Sequence, residues 1–143
     1  MNKINFLIAI SMLLVFSSCY EEEDWLGDNL ADGGTYFPVI QSVLTELPDD
    51  ATFSEGTTVN VSVWYWSRDA VKEVKITETI DGVEKQLTSS GSSTRFDVEK
   101  NVDVLEYDYA IPAGSSGKEI TITATVITVN DLDRVKSSSF TVE

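Results

Sequence analysis

The chain has 143 residues, the size of a single domain, and 42% of them are hydrophobic, which is enough to form one core. Its formal net charge of −14 argues against binding to nucleic acid or electrostatic docking on anionic lipid, both of which need a basic surface. It contains no histidine and one cysteine, so the commonest general base is missing and no intrachain disulfide can form.

The first residues have the pattern of a signal peptide. Lys3 supplies a positive charge, and Phe6–Phe16 is an apolar run that is too short to span a membrane as a helix. We therefore predict that residues 1–18 are a cleaved signal peptide. Its removal, which takes Lys3 with it, would leave 9 basic residues against 24 acidic ones, a net charge of −15.

Two serines directly precede Cys19, the single cysteine of the chain. Small residues before a lone cysteine resemble the lipobox of bacterial lipoproteins, although Phe16 stands where that motif usually has leucine. The resemblance implies cleavage before Cys19 and lipidation of that cysteine, which would anchor the mature protein to a membrane. The alternative is an ordinary signal peptide followed by an incidental cysteine.

The residues after Cys19 are acidic. The run Tyr20–Asp24 resembles the surface-export signal of Bacteroides-type lipoproteins, which implies display on the outer face of the outer membrane. The alternative is a solvated, charged tether, since charge runs are usually only that. The acidic stretch continues to Gly34 without a sustained period, so we predict a lipidated linker over residues 19–34 and a folded domain over residues 35–143.

The rest of the chain has the alternation typical of short β-strands separated by turn signals. Pro38 confines the first strand to an edge or to a bulge, Asp81–Gly82 predicts a type I′ hairpin turn, and a change of parity at Val126–Ile127 predicts a bulge. A second change of parity precedes Phe140 and Val142. The predicted strands are Thr35–Ile40, Thr57–Trp66, Val71–Ile80, Val83–Leu87, Arg95–Val98, Val102–Ile111, Glu119–Val129 and Arg134–Val142. A flexible loop is predicted over Thr88–Thr94. The pattern indicates an all-β, antiparallel two-sheet sandwich of about seven to eight strands.

The order of these strands resembles the immunoglobulin-like modules of Bacteroides-type outer-membrane lipoproteins, many of which are linked to polysaccharide utilisation. The resemblance is carried by GTTVNVSVWYWS, by VKEVKITETIDG and by the closing run YDYAIPAGSSGKEITITATVITVNDLDRVKSSSFTV. It implies an immunoglobulin-like β-sandwich without the inter-sheet disulfide of antibody domains, because the necessary cysteine pair is missing. Fold resemblance alone does not give function.

Trp64 and Trp66 end the face of their strand that otherwise looks polar. Residues i and i+2 of a strand share one face at a spacing of about 7 Å, so two indoles could form a flat platform for sugar rings. Asn60 and Arg68 could then hydrogen-bond sugar hydroxyls. The alternative is structural packing, with the indoles buried or covered by the N-terminal segment around Tyr36 and Phe37.

The acidic side chains offer two weaker candidates for chemistry. Asn130, Asp131 and Asp133 carry oxygen ligands suited to Ca²⁺, but that ion takes about six to eight oxygens, and the alternative is an ordinary hairpin turn. Glu106 and Asp108 form a carboxylate pair on the solvent face of a strand. No nucleophile context is visible, so we expect a non-enzyme without a cofactor.

Two functions of different classes remain open. The first is a non-catalytic module that captures glycans on the cell surface, beside larger uptake proteins. The second is a structural or adhesive module that contacts another protein through an edge strand or the same aromatic patch. The expected partners are the membrane, through the lipid anchor, and either a polysaccharide or another surface protein. Nucleic acid is not among them.

Overall fold

A computed structural model describes residues 28–43, 53–91 and 93–143 of the chain. Within these residues, eight strands form two antiparallel sheets of four strands each. In chain order the strands are β1 (Val39–Val43), β2 (Thr58–Trp66), β3 (Val71–Ile80), β4 (Val83–Ser90), β5 (Arg95–Asp97), β6 (Val102–Ala110), β7 (Glu119–Thr128) and β8 (Asp133–Thr141). The first sheet has the order β1-β2-β6-β5 and the second has the order β4-β3-β7-β8. This architecture fits an immunoglobulin-like sandwich, and the predicted fold class is confirmed.

The core lies between the two sheets because one parity of each central strand is apolar. On β2 the inward side chains are Val59, Val61, Val63 and Tyr65, and all four are buried. Full burial of an aliphatic side chain contributes about 1.5–3 kcal/mol, so the alternation fixes which face of each strand points inward. Leu105 and Tyr109 of β6 point inward from the same sheet, and the inward residues that face them from the second sheet include Val74, Ile76, Ile120, Ile122, Ala124 and Val126.

The hairpin between β3 and β4 has the predicted turn. Asp81 and Gly82 both have positive φ, 51° and 78°, as the central residues of a type I′ turn require. The following strand is longer than predicted and includes the first part of the expected loop, up to Ser90. The register of β3 and β4 shifts after Ile76, where Leu87 is an additional residue on β4. The polar residues Thr88–Ser90 therefore still pair with β3, which the sequence pattern did not reveal.

The bulge predicted at Val126–Ile127 is found on the neighbouring strand. Lys72 is an additional residue of β3 between the partners of Ile127 and Thr128, whereas β7 itself keeps its alternation.

The parity change predicted before Phe140 is wrong, since β7 and β8 pair in one continuous register from Glu119 opposite Thr141 to Ile127 opposite Asp133. Val135 on β8 points outward and is 57% exposed. The side chains that point inward near the beginning of β8 are polar. They are tolerated because β8 is an edge strand, where a long cationic side chain can reach past the core.

Two cations on β8 link it to the first strand and to the residues before it. The Lys136 ammonium donates a hydrogen bond to the carbonyl of Gln41 at 2.6 Å. The Arg134 guanidinium lies 3.9 Å from the centre of the Phe37 ring. These contacts cover one lateral side of the sandwich, where β1 lies near β8, and protect the edge of β1.

Residues 28–37 fold back on one end of the sandwich. Leu30 bridges Tyr36 in antiparallel fashion, and the Phe37 amide donates to the Asn29 carbonyl at 2.9 Å. The Tyr36 amide donates to the Asp69 carboxylate at 2.8 Å. The described part of the segment that we predicted as a linker therefore pairs with Tyr36 and Phe37, and Tyr36 is held by the turn between β2 and β3.

Candidate functional site

The candidate site lies on the outer face of the first sheet, which points away from the core. Trp64 and Trp66 both lie on this face, since their neighbours Val59 to Tyr65 of the other parity face the second sheet. Trp64 stands opposite Val104 of β6, and Trp66 stands opposite Val39 of β1. The two indoles share a face, but their surroundings differ.

Trp64 is a structural residue of a second, smaller apolar cluster. It is 6% exposed and packs with Val102 and Val104, which are fully buried. Its indole Nε1 donates to the Ser62 hydroxyl at 2.7 Å. The Lys100 ammonium lies 3.6 Å from the ring centre, so a cation covers the indole face that a sugar ring would need. The structure therefore gives Trp64 the packing role, with Lys100 rather than Tyr36 as its cover.

The turn between β5 and β6 holds Lys100 in place. The Asp97 carboxylate accepts hydrogen bonds from the amides of Lys100 and Glu99 at 3.0 and 3.1 Å. The bond from the Lys100 amide is the largest cause that lowers the pKa of Asp97 below its ordinary value. Asn101 completes the turn with a positive φ of 55°. Asp97, at the end of the edge strand β5, thus fixes the backbone of Lys100, whose side chain covers Trp64.

Trp66 is partly exposed and borders an open groove of about 410 Å³. We call this space the Trp66 groove; the residues that line it with Trp66 are Val39, Gln41, Lys100 and Asn101. Gln41 is the additional residue where the register of β1 and β2 shifts, and such irregularities re-aim a side chain. The groove therefore combines an aromatic surface, two carboxamides that both donate and accept hydrogen bonds, and one ammonium.

Asn60 and Arg68 do not join this groove. Asn60 precedes Trp66 by six residues, about 20 Å along a strand at about 3.3 Å per residue, and its side chain donates to Asp108 at 3.1 Å. The Arg68 guanidinium stacks on the Tyr36 ring at 4.4 Å. Sequence reasoning instead missed Gln41, Lys100 and Asn101. The alternation of Val102–Ile111 showed a strand, and its pairing with β2 would have placed the residues before Val102 beside Trp66.

The residues considered for calcium form a hairpin turn with other partners. Asn130 donates its side-chain amide to Asp69 at 3.1 Å. Asp131, with a positive φ of 59°, pairs with Lys72 at 2.6 Å, and this hydrogen bond raises the pKa of Lys72. Asp133 begins β8. Among the residues that the structure describes, no group of three or more histidine, cysteine, aspartate or glutamate side chains could hold a metal ion.

The carboxylate pair on β6 is also engaged. Glu106 accepts from Arg95 of β5 at 2.8 Å, and Asp108 accepts from Asn60 of β2. Both side chains lie on the exposed outer face. These carboxylates link adjacent strands, as cross-strand pairs do.

A third glutamate, Glu78, is buried between the sheets and 4% exposed. The Tyr109 hydroxyl, from the opposite sheet, donates to its carboxylate. The Lys85 ammonium approaches the other carboxylate oxygen at 3.1 Å. Burial, followed by this hydrogen bond, raises the pKa of Tyr109 far above its ordinary value. The pair of Glu78 and Tyr109 is a polar link within the core and lies away from the Trp66 groove.

Cys19 and the acidic run that follows it lie outside the described residues. Within the ranges that the structure covers, no helix is long and apolar enough to cross a membrane. Comparison of the chain with models of protein families and with curated proteins finds no match.

Proposed function

We propose that the protein is a non-catalytic, cell-surface lipoprotein that captures glycans in the Trp66 groove. The observation that carries the proposal is the groove itself, where one partly exposed indole lies beside the carboxamides of Gln41 and Asn101. The site lies on the outer face of a sheet, and side chains carried by strands are held more precisely than side chains on loops.

The chemistry of the groove matches that of a sugar ring. The C–H faces of a sugar are apolar and stack on an aromatic surface, whereas its hydroxyl groups need hydrogen-bond partners when water is removed. Gln41 and Asn101 each supply a donor and an acceptor, so they can pair with hydroxyls in either sense. Lys100 adds a cation at the side of the groove that adjoins Trp64.

The N-terminal sequence supports a surface location for this groove. Cys19 supplies the lipidation site, and the acidic run Tyr20–Asp24 supplies the export signal that the resemblance implies. A net charge of −15 after cleavage would repel the domain from an anionic membrane surface and keep the groove accessible to soluble polymers. An outer-membrane lipoprotein so placed would act beside larger uptake proteins.

A second candidate function is adhesion to another surface protein. The observation that favours it is a pair of exposed apolar side chains at the edge of the first sheet, Phe96 on β5 at 52% and Val98 in the next turn at 81%. Exposed apolar groups on an edge strand can serve strand pairing with a partner. The two candidates use different residues and can be separated.

Retention on polysaccharides separates them. The mature protein, Trp66→Ala and Phe96→Ala would be run in affinity gels that contain single polysaccharides and on a glycan array. We expect retention of the wild type and of Phe96→Ala, with loss in Trp66→Ala, since only that change removes the stacking surface. Phe96 is a matched control because it is an exposed aromatic residue on the same sheet. Failure of every polysaccharide to retain the wild type would contradict the proposal.

A further inference from the structure

The first sheet has room for a further stretch of strand beside β6. Strand β6 has nine residues, whereas its outer neighbour β5 has three and pairs only with Val102–Val104. The second half of β6 pairs with β2 on one side, and among the described residues no strand pairs with it on the other side. We call the space beside Glu106–Ala110 on that other side the strand slot.

The backbone of β6 directs hydrogen-bonding groups into the strand slot. The Thr94 amide donates to the Val104 carbonyl at 2.8 Å, and the Thr94 hydroxyl accepts from the Glu106 amide at 3.1 Å. The even-numbered residues of β6 therefore point their backbone groups away from β2, because hydrogen bonding alternates along a strand. By the same alternation the amides of Asp108 and Ala110 face the slot, where no described residue accepts from them. Such unpaired groups are a template for another strand.

Strand β4 of the second sheet covers the inner side of the slot. Strands β1 and β8 lie together at one lateral side of the sandwich, so β5 and β4 share the other side. The Tyr109 hydroxyl donates to Glu78, which stands opposite Lys85 of β4, so this part of β4 lies level with the slot. Val83, which shares the inward parity of Lys85, is 69% exposed, and Leu87 is only partly buried against the core. A strand in the slot would bury this apolar surface.

Burial also distinguishes the slot from the free edge of β4. A strand beside β6 would have its inward side chains covered by β4. A strand beside β4 would extend the second sheet beyond the last strand of the first sheet, and both of its faces would remain in water. The gain from apolar burial therefore favours the slot, although both edges offer backbone groups.

The charges beside the slot indicate the chemistry of its occupant. Glu106 and Asp108 point outward from β6 and are exposed. Glu106 pairs with Arg95, whereas none of the ion pairs between described residues involves Asp108. A cation on the neighbouring strand would complement Asp108. A second copy of this chain would instead bring a further net charge of −14, which disfavours self-association.

We infer that the strand slot binds an extended segment of a partner protein, which adds a strand to the first sheet in line with β5. Apolar side chains of the segment alternate with lysine or arginine. The apolar ones pack inward on Val83 and Leu87, and the cationic ones point outward beside Asp108. The assignment is independent of glycan capture in the Trp66 groove, and it uses a different part of the edge from Phe96.

Hydrogen exchange followed by nuclear magnetic resonance tests whether the slot is open. In the free, ¹⁵N-labelled mature protein we expect fast exchange at the amides of Asp108 and Ala110. The amides of Tyr107 and Tyr109 should exchange slowly, because they point toward β2. Slow exchange at all four amides would show that the slot is already filled and would overturn the inference.

Peptides in which lysine alternates with valine, isoleucine or leucine test binding. At a free peptide concentration of about ten times the dissociation constant, only about a tenth of the protein is unoccupied. Exchange at the amides of Asp108 and Ala110 should then slow by about tenfold. Matching peptides with glutamate in place of lysine should leave these amides unprotected.

Each other outcome of the exchange experiment counts against the inference. No protection by any lysine peptide would overturn it, and stronger protection by the glutamate peptides would overturn the class of partner. Protection confined to the amides of β4 would place the partner at the other edge. Protection that rises with protein concentration in the absence of peptide would assign the slot to a second copy of the chain.

Asp108→Lys tests the charge beside the slot. We expect it to weaken binding of the lysine peptides by about fivefold, because like charges then stand on adjacent strands. Glu119→Lys is the matched control, since it makes the same change of charge at an exposed residue on the outer face of β7. The control should bind as the wild type does. Equal weakening in the two variants would reduce the effect to net charge and overturn the role of Asp108.

Ala110→Pro tests pairing through the backbone. It removes an N–H that faces the slot, while the Ile111 amide keeps its bond to Thr57. We expect peptide binding to weaken by about threefold to tenfold, and wild-type affinity would contradict strand pairing. If this variant does not fold, exchange in the wild type still decides. Retention on polysaccharide through the Trp66 groove should not change in any folded variant, so the failure of one proposal is distinguishable from the failure of the other.

Discussion

The buried pair of Tyr109 and Glu78 gives the sharpest prediction about stability. Tyr109→Phe removes the hydroxyl that donates to a carboxylate within the core. A hydrogen bond to a charged group contributes about 1.5–3 kcal/mol, and only the flexible, exposed Lys85 would remain as a partner. We expect the free energy of unfolding at pH 8 to fall by about 2 kcal/mol. Urea unfolding, followed by tryptophan fluorescence, measures this free energy. The slope of the free energy of unfolding against urea concentration should stay unchanged.

Two further measurements make this test specific. Tyr107→Phe, a partly buried tyrosine on the same face of β6, is the matched control and should change the free energy of unfolding by less than about 0.5 kcal/mol. A double-mutant cycle with Glu78→Gln should show that the two changes are not additive, since they remove one interaction. A loss below about 0.5 kcal/mol in Tyr109→Phe, or full additivity, would refute the reasoning.

The same pair predicts a loss of stability in alkali. The pKa of Tyr109 is raised in the folded protein, so its contribution is fully present below the ordinary tyrosine pKa of about 10 and is lost as the pH rises above it. Above that pH the unfolded chain ionises this tyrosine while the folded protein does not. The free energy of unfolding should therefore fall by about 1.4 kcal/mol more per pH unit in the wild type than in Tyr109→Phe. Parallel curves for the two proteins above pH 10 would contradict the raised pKa of Tyr109, and with it the burial and the hydrogen bond that cause it.

Three other changes test separate parts of the account. Lys100→Ala should uncover Trp64, shift its fluorescence to the red and increase its quenching by iodide. The lost cation–π contact should lower the free energy of unfolding by about 0.5–1 kcal/mol. An unchanged spectrum would contradict the role of Lys100 as the cover of Trp64. Gly82→Ala should destabilise the domain by about 1–2 kcal/mol, because a residue with a side chain is strained at the φ of 78° that Gly82 adopts. The space around Gly82 is open, so a steric clash is not the reason. Unaltered urea unfolding would refute the backbone strain. Cys19→Ala should abolish incorporation of labelled palmitate and release the protein from membranes, and continued labelling would exclude lipidation at this residue.

Alternation predicted most of the sandwich because it reports directly on burial. The strands β2, β3 and β7 bury one parity almost without exception, so period-two patterns placed them within a residue of their observed bounds. The pattern failed at β8, where the inward residues Arg134 and Lys136 are polar. An edge strand does not need an apolar side chain at each inward position, because long cations can reach a backbone carbonyl of the other sheet or a ring in the segment before it.

The site was only partly predictable for a different reason. That Trp64 and Trp66 share a face follows from local geometry. Which of them is covered depends on Lys100, which is distant in sequence and reaches Trp64 only through the pairing of β2 with β6 and the turn that Asp97 holds. Glu78 likewise looked like an interruption of an apolar face, and its partner Tyr109 lies on the opposite sheet.

Glycan affinity of the Trp66 groove is the most direct test of the central claim. Isothermal titration calorimetry would compare the wild type, Trp66→Ala and Phe96→Ala with the polysaccharide fragment that the affinity gels select. The account predicts at least about tenfold weaker binding in Trp66→Ala, equivalent to about 1.4 kcal/mol, with wild-type affinity in Phe96→Ala. Equal affinity in all three proteins, with Trp66→Ala folded, would contradict it.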